Sequence, residues 1–188
     1  MIKYILPLLA LFAACSEQTE KTTQQNAEPP SLESSGVVSW TMPAGWIKET
    51  SNSPFRKAQY RLPKVQGDPE DASCILFYFQ GEGGGVEANI RRWYSQFTQP
   101  DGRTSEEVAR VTKTKVNNLN QTIIDLTGTY LFKTRPLART HTEKPGFRML
   151  ASIIETSAGP YFIKLVGPEK TVAWWKDSFY EFTKSFKE

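Results

Sequence analysis

Beyond residue 36 the chain alternates short apolar runs with Gly, Pro, Asn and Asp, the pattern of strands joined by turns. Residues 37–41 read as a first strand, ended by Met42-Pro43-Ala44-Gly45-Trp46, whose Pro and Gly suit a turn. Residues 58–62 read as a second, stopped by Pro63. Residues 74–80 form the strongest strand signal, because they are aliphatic, aromatic and few. Three or four more strands are expected over residues 109–116, 121–132, 147–156 and 161–166. Asn117-Asn118 and Ser157-Ala158-Gly159-Pro160 are turn-like and short, so the strands they join should run antiparallel.

Two segments switch to a helical period. Val86, Ile90, Trp93 and Phe97 fall on one face of a helix over residues 86–97, with Arg91, Arg92 and Gln96 on its other sides. Val172, Trp175, Phe179, Phe182 and Phe186 form the apolar stripe of a helix over residues 169–186, which should dock on one face of the sheet. The expected fold class is α+β: a curved antiparallel sheet with two packed helices. Residues 37–188 suffice for one domain with one core.

The first 36 residues follow neither pattern. Lys3 precedes an apolar run from Tyr4 to Ala14, 11 residues long, where a membrane-spanning helix needs roughly 20. Residues 1–14 therefore read as a cleaved signal peptide. The run ends at Phe12-Ala13-Ala14-Cys15, which resembles the lipobox of bacterial lipoproteins, with Phe12 where leucine is usual. The resemblance implies that the Cys15 thiol receives a diacylglyceryl group and that the new amino terminus is acylated. Buried methylenes at about 0.8 kcal/mol each make such an anchor nearly permanent. Ordinary secretory cleavage and an uncleaved leader with a chance cysteine are the competing readings. Ser16, by the same resemblance, implies the outer membrane of a double-membraned bacterium, with the domain facing the periplasm. Residues 15–36 then form a flexible tether. They are polar, contain Pro29-Pro30, and offer Leu32 as their only large aliphatic, too little to offset ordering entropy.

Charge changes the picture little. Residues 37–188 carry 21 basic and 16 acidic side chains, net +5. That suits an anionic partner and is weak evidence for nucleic acid, which is not expected as a partner. Cys74 is the only cysteine besides Cys15, so it has no intramolecular disulfide partner. Its apolar neighbours suggest a buried thiol; a reactive one would need a cationic, accessible setting. No metal or other cofactor is expected, since one histidine and one spare cysteine do not make the usual zinc sets and Asp68-Pro69-Glu70-Asp71 lacks EF-hand spacing. No catalytic residue is assigned. A Ser-His-Asp triad has only His141 to use, while a Ser-Lys or carboxylate site assembled in three dimensions stays open.

Two segments are candidates for binding. Residues 133–146 read as a long loop between strands, with Lys133, Arg135, Arg139, Lys144 and neighbouring Arg148 against Glu143, and with His141. They suggest a contact surface for an anionic lipid, polymer or protein; a solvated mobile loop is the plainer reading. Asn89 and Arg92, beside Trp93, are the second candidate pair. The glycine run Gly81-Glu82-Gly83-Gly84-Gly85 lacks the Lys-Ser/Thr of a phosphate-binding loop and its Glu82 and Glu87 repel anions, so a connector is the simpler reading. The tryptophans at 40, 46, 93 and 175 read as core, while Trp174 lies off the apolar stripe.

Several segments carry a resemblance. They are Trp40 with Pro43-Ala44-Gly45-Trp46, Glu87-Ala88-Asn89-Ile90 with Arg92-Trp93, Lys144 to Leu150, and Gly159-Pro160-Tyr161-Phe162 with Lys164 to Pro168. Together they resemble a family of uncharacterised exported bacterial lipoproteins, and the order of elements resembles the PsbP/Mog-like fold. The first resemblance implies no activity; the second implies binding or assembly modules. The expectation is therefore a non-catalytic, membrane-tethered module of the cell envelope. An envelope hydrolase would instead show converging carboxylates in a deep pocket, and a small-ligand carrier a cavity between helix and sheet.

Overall fold

A computed structural model describes residues 28–81, 83–135 and 138–188. The expected signal peptide and Cys15 lie outside the described residues. The strands are β1 (Ser31–Ser35), β2 (Val38–Met42), β3 (Ile47–Lys48), β4 (Arg56–Leu62), β5 (Ala72–Tyr78), β6 (Phe97–Thr98), β7 (Arg110–Val116), β8 (Leu119–Phe132), β9 (Thr142–Thr156) and β10 (Gly159–Pro168). The helices are α1 (Val86–Tyr94), α2 (Ser105–Val108), α3 (Glu169–Trp174) and α4 (Lys176–Lys184). The expected α+β class holds, with two more helices than the periodicity suggested. The C-terminal stripe is carried by two helices because the chain breaks at Trp175, whose backbone leaves the helical region.

The main sheet runs β3-β4-β5-β10-β9-β8-β6, with β7 also on β8, and all its pairings are antiparallel. Asn117 and Asn118, both at positive φ, close the β7–β8 hairpin, a conformation Asn tolerates better than most residues. Strand alternation sends residues to two cores. Tyr161, Ile163 and Leu165 of β10 join Cys74 and Leu76 of β5 on one face, under α3, α4 and the β1–β2 hairpin. Trp40, Trp46, Phe179, Phe182 and Phe186 fill that core and are fully buried or nearly so. Cys74 lies there too, and burial pushes its thiol pKa well up. On the other face Phe162 meets Trp93 of α1, with Ile124, Met149 and Ile153 beside them. Trp174 points away from both cores and is 72% exposed.

The tether expected over residues 15–36 extends too far. Ser31–Ser35 pairs with β2, and Gly36 turns the hairpin at positive φ. Polar bonding holds this segment, since Leu32 stays exposed. The Glu33 carboxylate accepts from the Tyr60 hydroxyl at 2.7 Å, the Trp40 indole at 3.2 Å and Lys48 at 2.9 Å. The long loop is corrected as well. β9 begins at Thr142, so residues 133–141 form the connection and residues 142–146 belong to the strand.

Candidate binding groove

α1 is too short to cover its side of the sheet. Nine residues span about 13 Å of helix, against a seven-strand path about 30 Å wide. Trp93 and Phe97 seal one part, and the remainder is a concave groove with two adjoining lobes. Ile75, Tyr130, Phe132 and Lys164 line both lobes.

The larger lobe has a volume of about 530 Å³. Arg56 of β4, Arg92 of α1, Lys133 at the end of β8 and Lys164 of β10 face it, and no carboxylate does among the described residues. These four cations form no ion pair among the described residues. Their hydrogen-bond partners are neutral. Arg56 donates to Gln59 at 2.6 Å, Arg92 to the Asn89 side-chain oxygen at 3.0 Å, and Lys164 to Gln96 at 2.8 Å. Lys164 lies in a row whose neighbours on the same face, Phe162 and Val166, are buried. Desolvation, aided by the nearby Arg56 charge, lowers the Lys164 pKa to about 8. Tyr130 lies 5.8 Å from its ammonium, ring centroid to nitrogen, and burial raises the Tyr130 pKa.

The smaller lobe, about 270 Å³, is lined mainly by Ile75, Tyr130, Phe132, Phe147 and Val166. Apart from Lys164, which it shares with the larger lobe, its charges are paired at the rim. Lys144 bonds Glu70, and Asp71 bonds Arg61 at 2.8 Å. The Lys144 ammonium also sits over Phe132 at 4.5 Å and Phe147 at 5.4 Å. A bulge brings Lys144 to this face. Gly128 pairs with Phe147 but Tyr130 with Lys144, so three steps of β9 match two of β8, with Gly146 at φ +68° between them.

The sequence candidates therefore separate. Arg92, Lys144 and His141 border the groove, His141 with its ring 3.9 Å from Glu143. Asn89 is buried and serves the local backbone: its amide donates to the Gly83 carbonyl at 2.6 Å and the Gly85 carbonyl at 3.1 Å. The glycine run thus presents carbonyls to Asn89, as a connector does. Arg135 and Arg139 are exposed on the 133–141 connection and line neither lobe. Arg148 lies on the opposite face. Two bonds of 2.8 and 2.6 Å tie it to Asp125 and raise its pKa. Arg56 and Lys164 escaped the sequence reading. The available signal was Lys164 itself, a lone charge in an apolar row of period two.

A second, shallower depression lies beside α2, bordered by Tyr94, Phe97 and Ser105. Its Arg103 is paired with Asp101, and Glu107 closes a capping box with Thr104. That depression sets Glu106 beside Arg91 and Arg103, whereas the 530 Å³ lobe gathers four cations and no carboxylate among the described residues.

No protein family and no curated protein matches the chain. Among solved structures, it is similar to the cyanobacterial PsbP protein of Synechocystis sp. PCC 6803, with a TM-score of 0.49 and 13% identity over 84% of this chain and 91% of that one. It is also similar to a Pseudomonas aeruginosa protein of unknown function described as a putative regulator, with a TM-score of 0.47 and 10% identity over 84% and 96% of the two chains. A Bacteroides thetaiotaomicron protein gives a TM-score of 0.42 and 11% identity over 80% of this chain and 44% of that one. These likenesses extend to a weakly PsbP-like arrangement of sheet and helices and no further.

Proposed function

We propose that this protein is a non-catalytic binding module of the cell envelope, held to a membrane by acyl chains on Cys15, which takes an anionic ligand in the groove beside α1. The observation that carries the reading is the larger lobe: four cationic side chains and no facing carboxylate among the described residues. Like charges held around one concave, partly desolvated surface repel one another, and an anion relieves that repulsion. The lipobox-like Phe12-Ala13-Ala14-Cys15 supports the anchor, and Ser16 supports an outer-membrane destination with the domain in the periplasm. A tethered module meets its ligands at raised effective concentration near the membrane. The groove's place between helix and sheet also favours a second reading, a carrier of small ligands, which would use the same residues.

The test is recovery of the native ligand. The full chain and its Arg56→Glu/Arg92→Glu variant are purified from membranes, and bound species are released and identified by mass spectrometry. An anionic species held by the wild type and lost from the variant is the expected result. Equal recovery from both, or none from either, would sink the groove reading. Alkyne fatty-acid labelling that survives Cys15→Ser would separately refute the anchor.

A further inference from the structure

The two lobes differ in chemistry, and a single ligand bridging them must share that difference. The larger is cationic through Arg56, Arg92, Lys133 and Lys164. The smaller has an apolar floor and, Lys164 at the junction apart, keeps its charges in rim pairs. Ile75, Tyr130, Phe132 and Lys164 belong to both, so the lobes adjoin along these side chains. We infer that the groove takes a small organic phosphate with an aromatic or other apolar group, its phosphate among Arg56, Arg92 and Lys164 and its apolar part over Tyr130 and Phe132.

This rests on the anion-binding reading above and narrows it in three ways. Charge is the first. Four unpaired cations suit the two charges of a phosphomonoester better than the single charge of a carboxylate. Two of the four are arginines, whose planar donor forks match phosphate oxygens. The second is the floor. Tyr130 stacks on Phe147 and faces Phe97, so its ring is a fixed platform and not a mobile side chain. The third is size. The larger lobe, about 530 Å³, lies in the range of small-molecule sites, and the lobe of about 270 Å³ adjoins it. The Lys144–Glu70 pair at the rim of the second lobe bounds the ligand at that end. The lowered Lys164 pKa agrees with the assignment, since a bound phosphate supplies the charge partner this ammonium lacks.

The experiment measures binding of phenyl phosphate to the full chain in phosphatidylcholine nanodiscs by calorimetry, beside inorganic phosphate and benzyl alcohol. Phenyl phosphate should bind at one site and more tightly than either fragment. Lys164→Met should weaken it by about tenfold or more, and Arg92→Gln by a similar factor. Lys113→Met removes an exposed charge on β7 and should change affinity less than about twofold. Arg92 projects from a helix surface, so its variant keeps the test valid if Lys164→Met fails to fold.

Inorganic phosphate binding as tightly as the phenyl ester would overturn the apolar half of the inference. Benzyl alcohol binding as tightly would overturn the anionic half. Phenyl phosphate affinity that collapses in phosphatidylglycerol nanodiscs would give the surface to the bilayer and overturn the small-molecule occupant. An anionic polymer or peptide recovered from the groove, with no phenyl phosphate binding, would overturn this inference and leave the binding-module reading standing. Absence of both would end the two together.

Discussion

The two faces of the sheet are built from the same strands and differ in their cover. On one face α3, α4 and the β1–β2 hairpin leave Tyr161, Ile163 and Leu165 of β10 with essentially no exposed surface. On the other, nine-residue α1 buries Phe162 under Trp93, and two positions along the strand Lys164 opens into the groove. Period-two alternation assigns each residue to a face; the length of the covering helix decides whether that face becomes core or site. A charge on the closed face would have to be paired or neutralised. On the open face cations persist because water, and by our reading a ligand, can reach them.

The largest expected effect contrasts two phenylalanines. Phe182 is fully buried, between Trp46 and Phe186 and edge-on to Tyr60. Phe182→Ala should cost about 3–5 kcal/mol in denaturant unfolding. Phe132 lines the groove and is half-buried, so Phe132→Ala should cost about 1 kcal/mol. Equal costs would make the groove floor an ordinary core and erase the distinction.

Ion pairs repeat the contrast at smaller scale. Arg148 and Asp125 expose only 14% and 18% of their side chains and meet through two bonds. Asp125→Ala strands the guanidinium and should cost about 2–3 kcal/mol. Lys144 and Glu70 expose 23% and 42% at the groove rim, so Glu70→Ala should cost under about 1 kcal/mol. Reversal of that order, read from unfolding midpoints, would show that the rim pair and not the Arg148 pair stabilises the fold.

Much of this was legible in the sequence and some was not, for identifiable reasons. The long strands and α1 announce themselves because burial imposes a period, and Trp40, Trp46 and Trp93 are core residues as their runs implied. β1 is hidden because the Glu33 carboxylate holds it, and polar bonding leaves no hydrophobic period. The Trp175 break is hidden because the apolar stripe continues through it. The charged connection drew attention to Arg135 and Arg139, whose density of charge is a surface property. The groove needed residues from β4, α1, β8 and β10 together, and only topology places those side by side.

The Lys164 pKa gives the next effect in size. Lysine ordinarily titrates near 10.4, and here burial and Arg56 hold it at about 8. Arg92, Lys133 and Lys144 add positive charge around the groove, His141 borders it, Glu70 and Asp71 are engaged with Lys144 and Arg61, and Tyr130 lies beneath. Below pH 8 both folded and unfolded chains carry the proton, and the desolvated charge is a constant burden. Between about pH 8 and 10.4 the unfolded chain binds more protons, so this residue's contribution to stability rises with pH. Lys164 stays partly open to solvent, which discounts the effect to on the order of 1–2 kcal/mol. Lys164→Met should therefore be the more stable protein at pH 7, with the gap to wild type closing toward pH 10. A gap independent of pH would place Lys164 in ordinary solvent and remove the electrostatic difference between the faces.

The smallest effect tests what puts Lys144 on the groove side at all. In a regular strand Phe147 would share its face with residue 145, and Lys144 would join Arg148 on the other. The bulge adds the extra step, and Gly146 supplies the left-handed backbone at φ +68°. A Cβ there would touch nothing within 4 Å, so Gly146→Ala isolates backbone strain from packing. Its cost should be about 1 kcal/mol. The effect should add to that of Glu70→Ala, because the Ala variant keeps the register and hence the Lys144–Glu70 pair. If Ala is accepted without cost, β9 runs straight, Lys144 turns to the closed face beside Arg148, and the open face loses its rim.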